Sequence, residues 1–192
     1  MSAEMVTFFD KLAADWDNTP LKYETREKLT RMMDLPPDSV IVDAGCGRGV
    51  MFEHLLKTNP SKIIAIDVSG EMIRLAKKTF DDERIEYVHG DLYNIALPLL
   101  DAVIFFNSYP HFIDKNMLAD KLASVIKKGG IMIIAHSLSK EEINGCHTGK
   151  RVSTLSIPLE NAEIEAGKFN EYFSLDSFLE NNEMYFIKLI RR

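Results

Sequence analysis

Asp43, Asp67 and Asp91 stand at equal intervals along the first half of the chain, each just behind a short strand-like run: Val40-Ile41-Val42, Ile63-Ile64-Ala65-Ile66 and Ile85-Glu86-Tyr87-Val88. Behind the first of them comes Ala44-Gly45-Cys46-Gly47-Arg48-Gly49. Alternate glycines let the backbone take angles closed to other residues and let a ligand lie against bare peptide, and the free N–H groups of a following helix point at that ligand. Carboxylates beside such a turn accept hydrogen bonds from hydroxyls, an amine or an exocyclic amino group, and they repel phosphates. The spacing is G-x-G-x-G. Val50 stands where a dinucleotide fingerprint would carry its third glycine, the one that permits close helix–strand packing around a pyrophosphate.

A second set of reactive side chains lies further on. Asn107-Ser108-Tyr109-Pro110-His111-Phe112 follows the apolar run 102–106, His136 ends the run 131–135, and His147 comes soon after. Three readings fit these histidines. Each could hydrogen-bond a loop backbone, as polar residues at strand ends commonly do. His111 or His136 could deprotonate an acceptor near neutral pH. His111, His136 and His147 could hold a metal with Cys146 or Glu142, but they lack tight local ligand spacing, so no metal is assigned.

The elements that must position these groups alternate. Apolar periodicity predicts two leader helices, over 6–17 and 23–33. The body then reads strand 40–43, helix 50–57, strand 63–67, helix 70–79, strand 85–89, strand 102–106, helix 115–127 and strand 131–136. This alternation implies a parallel sheet with right-handed crossovers, buried on both faces. The connection 90–100 contains Pro98 and is short for a helix. The pair Lys127-Lys128 with Gly129-Gly130 reads as a turn ahead of a strand. A short helix over 138–144 precedes an irregular stretch, 145–167, which is a candidate substrate loop. Two final runs, 171–179 and 184–190, read as a hairpin that completes the sheet antiparallel.

Composition narrows the function. The chain has 192 residues, enough for one domain with a substantial core. Its net charge of −6 disfavours a general nucleic-acid surface. No apolar run has bilayer length, and Glu4 and Asp10 stand where a secretory signal would be basic and then apolar. Two cysteines, Cys46 and Cys146, form no C-x-x-C pair and suit a reducing, cytoplasmic setting.

Taken in order, 42–49, 65–72, 89–92, 101–112 and 128–136 resemble the motifs of class I S-adenosylmethionine-dependent methyltransferases, particularly the small-molecule type often labelled type 11. The resemblance covers about 40–136. It implies a doubly wound, mostly parallel Rossmann-like α/β sheet with a C-terminal antiparallel hairpin, lid helices over 1–38 and the methyltransferase domain over 39–192. It implies S-adenosyl-L-methionine as cofactor and a small-molecule methyl acceptor as partner, with S-adenosyl-L-homocysteine as the product. By the same resemblance Gly45, Cys46, Gly47 and Gly49 pass under the methionine part and Asp43 helps position it. Asp67 takes the ribose hydroxyls, Met72 packs on the adenine, Asp91 and Leu92 meet its edge, Val68 is among the cofactor-binding residues, and Asn107 faces the sulfonium. Phe8, Phe9 and Trp16 resemble the lid. His111 and His136 are the catalytic candidates. Two other readings stay open: an NAD(P)-dependent oxidoreductase, which also places an acid at the end of its second strand, and a non-catalytic partner subunit of methyltransferase fold.

Overall fold

A computed structural model describes residues 2–16, 23–146 and 155–192. Its centre is a seven-stranded sheet in the order β3-β2-β1-β4-β5-β7-β6. The strands are β1 (Val40–Ala44), β2 (Lys62–Asp67), β3 (Ile85–His89), β4 (Leu100–Phe106), β5 (Ile126–His136), β6 (Phe173–Glu180) and β7 (Tyr185–Arg191). The first five pair in parallel. β7 lies antiparallel between β5 and β6. The mostly parallel sheet with its antiparallel hairpin therefore forms as expected, and the order in which strands are added reverses between the parallel neighbours β1 and β4, the switch point at which open α/β sheets bind ligands.

Unbroken apolar strands need cover on both faces. Alternate residues supply it: Val42, Val103, Phe105 and Ile134 pack with Leu118 and Leu122 of α5 (Lys115–Val125) in one core layer. Ile41, Ile104 and Ile133 pack in the other layer with Leu29 and Met33 of α2 (Tyr23–Met33), Phe52 and Leu55 of α3 (Phe52–Leu56) and Ile73 of α4 (Gly70–Thr79). Both long crossover helices are capped by side chains: Ser69 accepts from Met72 N and Asp114 from Met117 N. The remaining helices among the described residues are α1 (Ala3–Leu12), α6 (Lys140–Cys146), α7 (Ala162–Gly167) and a single 3-10 turn, Tyr109–His111. Among the described residues no helix is long and apolar enough to cross a membrane.

Four local expectations are corrected. The helix after the glycine turn begins at Phe52, not residue 50, because Gly49 sits at φ +84° and its N–H goes to Cys46 O, which keeps 48–51 in turns. The stretch 127–130 lies inside β5. There the register jumps from Leu100↔Ile126 to Ala102↔Ile131, so the extra residues bulge out with Gly129 at φ +78°. The first helix ends at Leu12 and residues 13–16 form a turn, while residue 17 falls outside the described residues. Finally, the two leader helices do different work: Leu29 and Met33 of α2 are fully buried in the main core, and only α1 reaches the open end of the sheet. The connection between β3 and β4 carries no helix.

Candidate functional site

At the carboxyl ends of β1, β2 and β4 a cavity of about 840 Å³, its open mouth included, is bounded below by the glycine turn and above by α1. The turn is shaped by its glycines. Gly45 and Gly47 take φ of +74° and +54°, and the N–H groups of Gly45 and Cys46 both donate to Ile66 O, at 2.8 and 3.0 Å. A Cβ on Gly45 would lie 2.6 Å from Ser108 Cβ, and one on Gly49 would lie 2.4 Å from the Phe52 ring. Gly49 thus serves packing and is not among the residues lining the cavity.

Asp67 forms the side wall. Its Oδ2 accepts from Gly47 N at 2.8 Å and its Oδ1 from Ser69 N at 2.8 Å. Burial raises its pKa while those two bonds oppose the rise. Asp43 lies behind the turn, 2% exposed and outside the cavity lining. Burial first, and the Asp67 carboxylate second, push it up to about 7. Burial also holds the Cys46 thiol well above its ordinary range, so this wall residue is a neutral thiol.

The third acid does not join them. The cavity wall past β3 is made by Gly90 and Leu92, while Asp91 turns its carboxylate to Tyr93 N at 3.1 Å in a short side-chain-to-backbone turn. Val68, Met72 and Leu92 line the same side as Asp67.

Opposite this apolar side stand Asn107 and His111. Asn107 is held at φ +54°. Its Oδ1 accepts from Ser137 N at 3.0 Å and its Nδ2 donates to Ser137 Oγ at 3.1 Å. His111 places Nδ1 2.9 Å from Leu155 O. A carbonyl can only accept, so Nδ1 carries the proton and the lone pair of the neutral ring is on Nε2. The His111 ring also meets Phe9 edge-on at 5.0 Å. His136 is placed elsewhere. It is 1% exposed, pairs with Tyr185 across β5 and β7, packs on that ring at 6.0 Å and is not among the cavity-lining residues. His147 falls outside the described residues. Among those described, no three acid, histidine or cysteine side chains are grouped to hold a metal ion.

Sequence reasoning assigned no role to several lining residues, Arg48, Val50, Ile66 and Phe106, whereas Ser108 lines the cavity within the segment 107–112 expected at this edge. Its Oγ donates to Ala44 O at 2.6 Å, tying the loop that presents Asn107 to the end of β1.

An open parallel sheet with a glycine turn at its switch point and an acid at the tip of the next strand defines a nucleoside-binding α/β protein. Residues 41–130, just under half of the chain, match the family described as "Methyltransferase domain", which supports the resemblance to class I S-adenosylmethionine-dependent methyltransferases. A 2-methyl-6-phytyl-1,4-hydroquinone methyltransferase of Synechocystis sp. is 30% identical over 104 residues, 53% of this chain and 33% of that protein. The chain thus spans only part of the length of such curated relatives. Solved structures match it nearly end to end. A chain from a complex with the Haloferax volcanii Trm112 methyltransferase activator has a TM-score of 0.81 at 16% identity, covering 95% of this chain and 97% of its own. The N-methyltransferase NodS of Bradyrhizobium japonicum, solved with S-adenosyl-L-homocysteine, has a TM-score of 0.76 at 15% identity, covering 98% of each. At these identities the structural likeness establishes the fold.

Proposed function

We propose that this chain transfers a methyl group from S-adenosylmethionine to a small-molecule acceptor, with His111 as the base. The observation that carries this reading is the Asp67 carboxylate, set in the cavity wall between the glycine turn and an apolar side of Val68, Met72 and Leu92. A carboxylate suits a ribose with two free hydroxyls and opposes a phosphate, while the apolar side suits a flat base. The residues present therefore fit the cofactor; the adenosine half of a dinucleotide would accept the same acid, and Val50 in place of a third glycine disfavours its pyrophosphate. When bound, S-adenosylmethionine supplies an activated methyl on a sulfonium for in-line displacement.

The chain's own contribution is position, dryness and one proton. Phe9 and Trp16 cover the cavity and exclude water, which such a displacement needs more than it needs catalytic side chains. Asn107, clamped by Ser137, presents its backbone at the turn after β4. The Leu155 carbonyl keeps the His111 proton on Nδ1, so Nε2 can take a proton from an acceptor hydroxyl as the new bond forms. An acceptor with a protonated oxygen suits this arrangement. The two free thiols, Cys46 and Cys146, accord with a cytoplasmic setting.

Isothermal titration with S-adenosylhomocysteine, followed by a metabolite extract incubated with label on the donor methyl, tests the reading. Binding and transfer of label into a small product support it. A titration without heat, or a chain that oxidises or reduces a nicotinamide, overturns it.

A further inference from the structure

The roof of the cavity is attached lightly. Met5 and Phe9 of α1 form a three-residue apolar cluster with Leu155, separate from both main core layers. Phe9 meets His111 and Trp16 edge-on, at 5.0 and 5.5 Å. So small a cluster offers little burial to hold a helix in place. The polar tie from α1 itself to α4 is Asp10. Its Oδ1 accepts from Ser69 Oγ at 2.5 Å and from Glu71 N at 3.3 Å. A carboxylate of α1 thus supplements the cap of α4, where the helix dipole favours negative charge.

Ser69 is a junction. The same Oγ accepts from Met72 N at 3.1 Å, and the Ser69 N–H donates to Asp67 Oδ1. The other Asp67 oxygen holds Gly47 N. A hydrogen-bonded path runs from roof to floor through Asp10, Ser69, Asp67 and Gly47, beside a long direct bond from Arg48 Nη1 to Ala14 O at 3.4 Å.

We propose that Asp10 is a positioning residue that latches α1 over the cavity and couples its closure to occupancy of the Asp67 wall. The coupling half rests on the cofactor reading given above, whereas the latch is a property of the free chain. A ligand hydroxyl that donates to Asp67 shares its carboxylate with Ser69 N and fixes the segment from which Ser69 reaches Asp10. Linkage makes the effect reciprocal: whatever factor the closed roof adds to ligand retention, the ligand adds to closure. The sole tryptophan, Trp16, lies in the cavity wall and reports the state of the roof.

The test uses the whole chain as wild type, Asp10→Ala and Asp10→Asn. Hydrogen exchange is followed in α1 and β4, and S-adenosylhomocysteine release is followed by stopped-flow fluorescence of Trp16. Asp10→Ala should speed exchange in α1 about tenfold without affecting β4, and should speed ligand release about five- to tenfold. Asp10→Asn, which keeps an acceptor oxygen but not the charge, should fall between. Unchanged α1 exchange in Asp10→Ala overturns the latch. Faster α1 exchange with unchanged release overturns the coupling. If wild type retains no S-adenosylhomocysteine, the cofactor reading and the coupling fall together, and the exchange data still decide the latch.

Discussion

Gly47 donates its backbone N–H to Asp67 Oδ2 at 2.8 Å, tying the turn after β1 to the tip of β2. One carboxylate therefore both shapes the floor of the cavity and lines its wall. Hydrogen bonds to charged groups are worth about 1.5–3 kcal/mol each. Asp67→Ala should weaken S-adenosylhomocysteine binding by about 10- to 100-fold in calorimetric titration, with the far-ultraviolet circular dichroism unchanged. Wild-type affinity in this variant would remove Asp67 from the ligand.

The three glycines of the turn should differ in their tolerance. Gly45→Ala and Gly49→Ala place a Cβ 2.6 and 2.4 Å from fixed neighbours, on top of a positive φ. Gly47→Ala meets nothing nearer than Trp16 Nε1 at 3.9 Å and carries the backbone strain alone. Strain of this kind costs about 1–3 kcal/mol, and overpacking adds about as much again. Chemical denaturation should rank Gly47→Ala as the mildest of the three, and the opposite order would refute the packing argument.

Asp43 gives a dependence on pH. Burial and Asp67 lift it from 3.8 to about 7. Between these values the folded chain keeps a proton that the unfolded chain has lost. The contribution of this group to stability is therefore fully present below about 4 and is lost as pH rises through about 7. Asp43→Asn removes the titration, so the melting temperature of the variant minus that of wild type should grow from pH 4 to pH 8. A difference independent of pH would show that Asp43 ionises freely in the fold.

His111 separates chemistry from binding. His111→Ala should lower kcat by about 100-fold or more, the usual contribution of a positioned base, while leaving S-adenosylhomocysteine affinity within a few-fold of wild type. A matching loss of affinity would recast His111 as part of the donor site. His136→Ala acts on the packing against Tyr185, and a thermal melt should register it before any assay of donor binding does.

Much of the architecture was legible because it rests on local physics. A strand covered on both faces has to be apolar throughout, so β1, β2 and β4 stand out as runs, and the glycines between β1 and α3 mark a bend that other residues resist. Asp67 was legible too, as the acid at the tip of the second strand. The stretch 127–130 was misread because two lysines and two glycines signal a turn locally, whereas pairing with Leu100 draws it into β5 as a bulge. Asp91 sits where a ligand acid would, yet the direction of its carboxylate is set by the Tyr93 N–H two residues on.

By itself, then, the sequence determined the alternating strands and helices, the glycine turn and the acid that faces it, since each depends on residues close along the chain. Which polar tips reach the cavity was decided only in three dimensions. His111, in the segment just past β4, and His136, at the end of β5, look alike in sequence as histidines at the same sheet edge. The insertion of β7 beside β5 buries His136 against Tyr185, and the Leu155 carbonyl, 44 residues from His111, fixes the ring that remains at the cavity. These contacts join segments far apart in the chain, so the local pattern of residues could not specify them.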